Sequence, residues 1–525
     1  MKLKITGFAS GILSLLISQI LIKIFGVMYS LYMTNKSGFG DTGNAIYMSG
    51  YQIYALLLTI SSIGVPNSIS KLISEKDSFK DYKNSNRIFY VGILIFSIIG
   101  FIGCLFLFIF SGLIANRVLL IPEARLSLMV LSPAILFVSI TSVIRGYCNG
   151  EKKIHITAKS QFFEQVLKSI FTIVFVEIIS RKSPQNIELI AASANFATTV
   201  ATFFSLVFII ISYKLTKNKV ENIRGYYFPK EKINNIIKNI IRISFPITLS
   251  AILTSFGKSI DSVTIVRILK KYFSEEIAIK KYGIISSKVD ILINFPLSFN
   301  TAITTALIPE IARKVSQNDI NGVINRIKLS IFISLLISIP ATFGMFFYSK
   351  EIFLILFPNA MSGAELLRVA SISIIFSSLA QTLAGILQGL SKNSIPLYST
   401  VIGIISKMIC NIVFINMNGI YEKGAIIGNI SLNVIIFLIE YMYLVKFIKI
   451  DMNVLNCGFQ PLLFSIIMIA FTKKVYHFLI IAFTEKVAIL ISILICVIIY
   501  FGLVLVYFGN PFLKNNFIDK KHVST

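Results

Sequence analysis

The feature that most constrains this chain is a series of apolar stretches of about 20 residues, separated by short polar breaks along almost its whole length. A helix of that length crosses the roughly 30 Å hydrocarbon layer of a bilayer. Because hydrocarbon offers no partner to unpaired backbone groups, each stretch is predicted to be a transmembrane helix. About fourteen such helices are predicted, at the approximate limits 7–33, 43–65, 88–114, 126–146, 160–180, 189–213, 240–268, 283–309, 329–349, 364–390, 396–417, 424–447, 459–476 and 486–508.

The composition excludes several other classes of protein. Charged residues make up 14% and the mean hydropathy is +0.80, whereas a soluble domain carries about 25% charged residues. Five cysteines lie far apart, which argues against a disulfide-stapled secreted scaffold. Only three histidines are present, without a second His or a Cys at ligand spacing, so we expect no metal site. The breaks are too short for a catalytic domain, so we expect neither an enzyme nor a bound cofactor.

The net charge of +26 raises the question of a nucleic-acid partner. The basic residues are dispersed between apolar segments and form no basic domain, so no nucleic-acid partner is expected. An anionic lipid or membrane surface is the favoured partner. The basic residues concentrate in alternate breaks, including the segment around Lys71–Arg87. The positive-inside rule then predicts a multi-pass protein of the cell membrane with both termini in the cytoplasm and the first helix retained.

The sequence also contains an internal repeat. Residues 143–171 align without a gap over residues 382–410, so that Gly146 matches Gly385 and Lys168 matches Lys407. The alternative is chance similarity between two isoleucine-rich helices. A true repeat covers six helices and predicts two pseudo-symmetric lobes with the substrate between them near the midplane. The predicted organisation is an N-lobe at 1–235, a C-lobe at 236–450, and two further helices with a tail at 451–525, with the basic segment Lys214–Lys238 as the linker between lobes.

Several ionisable residues fall well inside the predicted helices. On insertion scales each costs roughly 2.5–3.5 kcal/mol near a helix centre, so they are expected to face water, protein or substrate. The set is Lys23, Glu164, Lys168, Lys258, Asp261, Lys288, Asp290, Lys407 and Glu440. Polar residues continue these faces at helical spacing, among them Thr301 in the eighth predicted helix and Gln381 in the tenth.

The charges inside the helices sum to a positive value, which predicts a cavity that attracts anions, above all a diphosphate. Lysine acts at such a site as a point-charge phosphate binder. The candidate substrate-binding residues are Lys23, Lys168, Lys258, Asp261, Lys288 and Lys407. The alternative is internal neutralisation, in which Glu164 pairs with Lys168, and Lys258 with Asp261, along their own helices.

Several motifs resemble a known family. These are Arg145-Gly146-Tyr147 with Gly150 and the run from Ala158 through Ser160-Gln161 to Glu164-Gln165, then Gly64-Val65-Pro66 with Ser70-Lys71, and Pro309-Glu310-Ile311-Ala312. They resemble the stage V sporulation protein B and polysaccharide-export branch of the multidrug/oligosaccharidyl-lipid/polysaccharide flippase superfamily, which is related to the lipid II flippases. Span number, repeat placement and motif order extend the resemblance over nearly the whole chain.

The resemblance implies an all-α integral membrane protein with two six-helix lobes and two C-terminal helices. Its implied activity is the transfer of an undecaprenyl-diphosphate-linked cell-wall precursor from the inner to the outer leaflet by alternating access, with spore cortex peptidoglycan as the cargo of a sporulation-specific member. Lys23, Lys258 and Lys288 are then candidates for the diphosphate. Arg145 with Glu164 is the candidate gate.

The partners and the energy source follow the same hypothesis. The expected partners are a polyprenyl-diphosphate-linked saccharide, membrane lipids and cell-wall synthesis proteins. Transport would be driven by the membrane potential or by a Na⁺ or H⁺ gradient, with Asp261, Asp290 and Glu164 as the candidate ion-coupling carboxylates. The alternatives are a cation-coupled multidrug antiporter, a flippase for another polysaccharide precursor, and a non-transporting scaffold in wall assembly. A lysine-rich interior disfavours the antiporter, because lipophilic cations call for an acidic or aromatic cavity.

Overall fold

The computed structural model describes residues 7–62, 64–79, 81–216, 231–358, 361–448 and 454–509. Every regular element within these ranges is a helix, so the predicted all-α fold is confirmed. The helices are α1 (Gly7–Asn35), α2 (Gly40–Ser62), α3 (Gly64–Ser78), α4 (Tyr82–Leu113), α5 (Ala124–Gly150), α6 (Ile154–Lys182), α7 (Ile187–Thr216), α8 (Ile233–Leu269), α9 (Glu275–Ile284), α10 (Asp290–Ser316), α11 (Ile320–Phe347), α12 (Ser349–Leu356), α13 (Ala364–Ala370), α14 (Ser373–Gly389), α15 (Ser394–Ile415), α16 (Glu422–Ile448), α17 (Val454–Ala482) and α18 (Glu485–Gly509). Two segments are π-helical. Ile114–Leu119 follows α4, and Ile285–Val289 joins α9 to α10.

The helices match the predicted membrane spans in position. Each of the fourteen predicted stretches overlaps a described helix or a consecutive pair of helices. Among the described residues, nine helical segments are long and apolar enough to cross a bilayer, and ten if α13 and α14, bent by 41°, form one span. The count of fourteen spans is compatible with this and stays a prediction. Helices α6, α8 and α10 are not among the nine, and they carry most of the ionisable residues that the sequence places inside spans.

One compact unit comprises Met1–Ile291 and Pro396–Leu432. Within it α4, α5, α6 and α7 pack against one another, α1 lies along α6, and α2 packs against α5, α8 and α9. Its core includes Ile69 and Ile73 of α3 and Val143 of α5, all excluded from solvent. The ring of Phe89 packs at 4.8 Å from that of Tyr147, measured between centroids. The core therefore joins the α4–α7 bundle to α3.

The second unit comprises Leu292–Ile395 and Asn433–Thr525. Within it α11 packs against α14 and α17, and α17 packs against α18. Ile327 and Ile331 of α11 meet Leu383 and Leu387 of α14 in a buried core. The Tyr500 hydroxyl donates a hydrogen bond of 2.8 Å to the Leu336 carbonyl, which ties α18 to α11. The lobe limits at residues 235 and 450 stay predictions from the sequence, and most of the predicted linker lies outside the described residues.

Glycines allow a close helix contact between α3 and α5 in the first unit. A Cβ at Gly146 would stand 2.9 Å from the Cα and the carbonyl oxygen of Pro66, and one at Gly150 would stand 2.9 Å from the Ser70 carbonyl oxygen. The Gly-x-x-x-Gly spacing thus places the end of α5 directly on the α3 backbone, as small residues do between membrane helices. This contact fixes the position of Arg145, the residue before Gly146.

Candidate functional site

Arg145 links three helices near the end of α5. Its Nη2 donates to Glu164 Oε2 at 2.7 Å and to Ser160 Oγ at 2.9 Å, both on α6. The same nitrogen lies 3.2 Å from Ser205 Oγ on α7. The Arg145 side chain is 11% exposed and that of Glu164 is 25% exposed. The structure therefore brings together the two predicted gate residues in a charge-assisted hydrogen bond.

Lys168 lies one helical turn beyond Glu164 and is buried. Its ammonium nitrogen stands 4.1 Å from the centroid of the Tyr51 ring and 5.4 Å from that of the Tyr29 ring, which is cation–π geometry. Tyr47 completes the cluster, since it stacks on Tyr51 at 6.0 Å and its hydroxyl oxygen lies 3.5 Å from that of Tyr29. We call Tyr29, Tyr47 and Tyr51 the tyrosine cage. Among the described residues, no carboxylate stands within ion-pair distance of Lys168.

Lys407 on α15 has a different environment. Its ammonium donates to Asp261 Oδ2 at 2.8 Å and to the Gly257 carbonyl at 2.6 Å, both on α8. The amides of Asn411 and Asn429 each donate to the same carboxylate at 3.2 Å. The Lys407 side chain is 2% exposed and that of Asp261 is 7% exposed. A buried carboxylate thus receives three donors from α15 and α16.

Lys288 lies in the π-helical segment Ile285–Val289, and its ammonium stands 2.6 Å from Asp41 Oδ1. The two side chains are 0% and 4% exposed. The contact is close along the backbone as well, because a Cβ at Gly283 would stand 2.0 Å from the Asp41 carbonyl oxygen. The start of α2 is therefore held against the junction of α9 and α10.

The remaining predicted residues have separate positions. Lys23 is exposed on α1 and lies near enough to Tyr29 to interact with it electrostatically. Asp290 begins α10 and is half-buried. The side chain of Lys258 lies outside the described part of the chain.

Two polar stripes predicted from the sequence meet in the second unit. The Thr301 hydroxyl of α10 donates to Gln381 Oε1 of α14 at 3.2 Å. Asn300, which the sequence analysis did not single out, donates to the Ser378 carbonyl at 3.0 Å and lies 3.3 Å from the Thr382 hydroxyl. These bonds satisfy polar groups that would be costly against lipid.

The sequence profile of the family described as "Polysaccharide biosynthesis protein" matches residues 8–315, more than half of the chain. The chain belongs to this family. A second profile, MatE, matches residues 246–413. Together the two matches place the protein in the multidrug/oligosaccharidyl-lipid/polysaccharide flippase superfamily, as its motifs predicted.

Two relatives of this polysaccharide biosynthesis protein come from Bacillus subtilis (strain 168). The lipid II flippase MurJ is 26% identical over 431 residues, which are 78% of this chain and 77% of the relative. Stage V sporulation protein B is 22% identical over 450 residues, 85% of each chain.

Solved structures agree on the fold. A lipid II flippase MurJ in an inward closed conformation superposes with a TM-score of 0.70 at 16% identity, covering 94% of this chain and 98% of the other. An inward-facing multidrug resistance MATE family transporter of the same superfamily gives 0.67 at 14% identity, covering 84% and 99%. The fold is therefore that of the flippases and transporters of this superfamily.

Within the family fold, the carboxylates take partners that helical spacing did not select. For Glu164 the sequence suggested Lys168 as the partner, whereas the structure pairs Glu164 with Arg145, which reaches it from the neighbouring helix α5 in a charge-assisted hydrogen bond. Asp261 pairs with Lys407, and its predicted pairing with Lys258 stays a prediction, because the Lys258 side chain lies outside the described residues.

Three kinds of partner were not predicted from the sequence. They are the Asp41 carboxylate, the tyrosine cage, and the amides of Asn411 and Asn429. Asp41 lies just before a predicted span and gave no intramembrane signal. The tyrosines have helical spacing on α2, since Tyr47 and Tyr51 are one turn apart, and that spacing is the signal by which they could have been found.

Proposed function

We propose that this protein is a flippase for an undecaprenyl-diphosphate-linked saccharide, a lipid II-like cell-wall precursor that it carries from the inner to the outer leaflet. The observation that carries the proposal is the positive charge at Lys168 and Lys23, for which the described residues show no carboxylate within ion-pair distance. Lys168 is buried among neutral tyrosines, and Lys23 is exposed on a helix predicted to span the membrane. An exposed lysine does not persist against lipid, so Lys23 is placed in an aqueous cavity.

The physical task of such a protein is to lower a desolvation cost. A diphosphate and several sugar hydroxyls cannot cross hydrocarbon unpaired, whereas a polyprenyl tail can stay in the lipid throughout. Lysines in a low-dielectric cavity offset the phosphate charge and need no covalent chemistry. The non-enzymatic role agrees with the relatives that are lipid II flippases.

Alternating access needs a contact that opens and closes. With both termini cytoplasmic, as we propose from the basic residues, α2 and α9 both begin at the outer side of the membrane. The Asp41–Lys288 pair then closes the cavity on that side. Arg145 lies at the cytoplasmic end of α5, and with Glu164 of α6 it forms the proposed gate on that side.

The similarity to stage V sporulation protein B supports spore cortex peptidoglycan as the cellular context of transport. Cell-wall synthesis proteins are the proposed partners, because the product emerges where they act. The driving force we propose is the membrane potential or a Na⁺ or H⁺ gradient, with Asp290 and Glu164 as the coupling carboxylates. No bound cofactor enters this proposal.

The test measures whether lipid II reaches the outer leaflet in cells depleted of their own flippases. A membrane-impermeant enzyme that cleaves exposed lipid II reports the outer pool. The wild-type protein is expected to restore that pool and Lys23→Ala to reduce it. Lys71→Ala is the matched control, because that lysine is exposed on α3 and its loosely held partner is Glu75 at 3.9 Å.

A cation-coupled multidrug antiporter is the second candidate, because the MatE profile matches residues 246–413. That function predicts drug resistance on expression, with no change in lipid II accessibility. A failure of the wild-type protein to restore outer lipid II, together with drug resistance, would replace the flippase proposal. Failure in both assays would favour another polyprenyl-linked glycan or a scaffold.

A further inference from the structure

Lys168 and Lys407 occupy matching positions of the two aligned segments, residues 143–171 and 382–410, but their surroundings differ in charge. Both are buried lysines on helices that follow a Gly-x-x-x-Gly helix end. Lys407 faces the Asp261 carboxylate, and Lys168 faces the rings of Tyr29 and Tyr51. The two matching lysines therefore lie in different electrostatic environments.

The charge around Lys407 cancels. Its ammonium and the Asp261 carboxylate sum to zero, and the amides of Asn411 and Asn429 complete the carboxylate's hydrogen bonds. Withdrawal of the ammonium would leave a buried carboxylate without its counter-ion, which is among the costliest changes in a protein interior. Lys407 is thus fixed between α8 and α15, and among the described side chains, which do not include that of Lys258, its charge is matched by that of Asp261.

The charge around Lys168 does not cancel. The nearest carboxylate along its helix, Glu164, is held by Arg145 at 2.7 Å. The tyrosines hold the ammonium through their ring faces and through the hydroxyls of Tyr29 and Tyr51, which attract it less strongly than a full negative charge would. An arriving phosphate therefore outcompetes the cage, and the cage is left neutral and intact when the ammonium leaves.

We infer that the two lysines have different roles. Lys168 leaves the tyrosine cage to bind the anionic head group, and Lys407 is a structural counter-ion of Asp261. When no substrate is bound, the tyrosine cage holds the Lys168 ammonium. It contains no carboxylate that would compete with the substrate phosphate for that ammonium. This inference rests on the proposed function and assigns the phosphate contact to one half of the repeat.

The test uses the full-length protein in nanodiscs with undecaprenyl diphosphate as the probe, and it measures both the dissociation constant and the midpoint of thermal unfolding. Lys168→Met is expected to weaken binding at least about tenfold, the loss of about 1.4 kcal/mol, with little change in the unfolding midpoint. Lys407→Met is expected to lower the unfolding midpoint. The double variant Asp261→Asn/Lys407→Met is expected to recover the midpoint and to bind within about twofold of wild type, because it removes both charges.

Lys168→Arg separates a charge effect from a folding defect, since it keeps the cation and its affinity for aromatic faces. Lys168→Arg is expected to bind undecaprenyl diphosphate. This result tests the role of the charge even if the Lys168→Met variant does not fold. Equal binding by wild type and Lys168→Met would overturn the inference and leave the flippase proposal standing. Loss of binding in the folded double variant would likewise overturn it, since Lys407 would then contact the phosphate. No binding by the wild type would overturn the proposed function itself.

Discussion

The ammonium of Lys288 lies 2.6 Å from the carboxylate of Asp41, and the two side chains are 0% and 4% exposed. The pair joins the first turn of α2 to the π-helical segment between α9 and α10. Such segments often mark functional positions within helices. Because the desolvation cost of a buried ion pair nearly offsets its attraction, such a pair can hold two helices together and still break, as the proposed closing of the cavity requires.

Loss of either partner of this pair is expected to weaken the contact between α2 and the junction of α9 and α10. Asp41→Asn or Lys288→Met alone leaves a buried charge without its counter-ion, at a cost of about 3–5 kcal/mol. The double variant is expected to recover most of that loss. Chemical denaturation of the purified protein in detergent measures all three. Single variants as stable as wild type would show that the pair does not hold the two helices together.

Gly283→Ala is expected to force α2 away from α9. Its Cβ would stand 2.0 Å from the Asp41 carbonyl oxygen, and a backbone atom cannot move aside alone. Ala45, which is excluded from solvent in the same contact, gives a readout as Ala45→Cys. A membrane-impermeant maleimide is expected to modify that cysteine faster when Gly283→Ala is also present.

Gly502→Ala is the matched control for this experiment, because a Cβ at Gly502 would meet nothing within 4 Å. It is expected to leave the rate of modification unchanged. Modification that is equally slow in both backgrounds would mean that the α2–α9 contact tolerates the methyl group.

Arg145→Lys is expected to weaken the junction of α5, α6 and α7. One ammonium cannot reproduce the geometry with which the guanidinium reaches Glu164, Ser160 and Ser205 together. Stability should fall by roughly 1–3 kcal/mol, the cost of buried groups left without partners. Thermal unfolding checks the loss, and the lipid II accessibility assay checks the gate. Full activity with an unchanged unfolding midpoint would refute both roles.

Gly146→Ala is expected to destabilise the first unit by about 1–3 kcal/mol, as overpacking of a tight contact does. The new methyl group would meet the Pro66 backbone at 2.9 Å. Gly112→Ala on α4 is the control, since the nearest atom to its Cβ would be Arg125 Nε at 3.6 Å, an ordinary contact. Equal unfolding midpoints for the two variants would contradict a close α3–α5 packing.

Much of the fold follows from the sequence because the bilayer imposes one rule on every segment. A chain in hydrocarbon must satisfy its backbone locally, so each apolar stretch of sufficient length becomes a helix. For this reason the predicted stretches coincide with described helices. The cost of charge in lipid likewise identified Lys168, Lys288 and Lys407 as residues that need an explanation.

The partners of those lysines were decided by the tertiary structure. Lys407 and Asp261 are 146 residues apart along the chain, and Asp41 is further still from Lys288. Helical periodicity relates residues within one helix, and it carries no information on which helices become neighbours or at what rotation they pack. The sequence by itself therefore determined that cations lie inside the membrane region. The packing of the helices determined that Lys288 and Lys407 pair with carboxylates, whereas Lys168 contacts tyrosine rings.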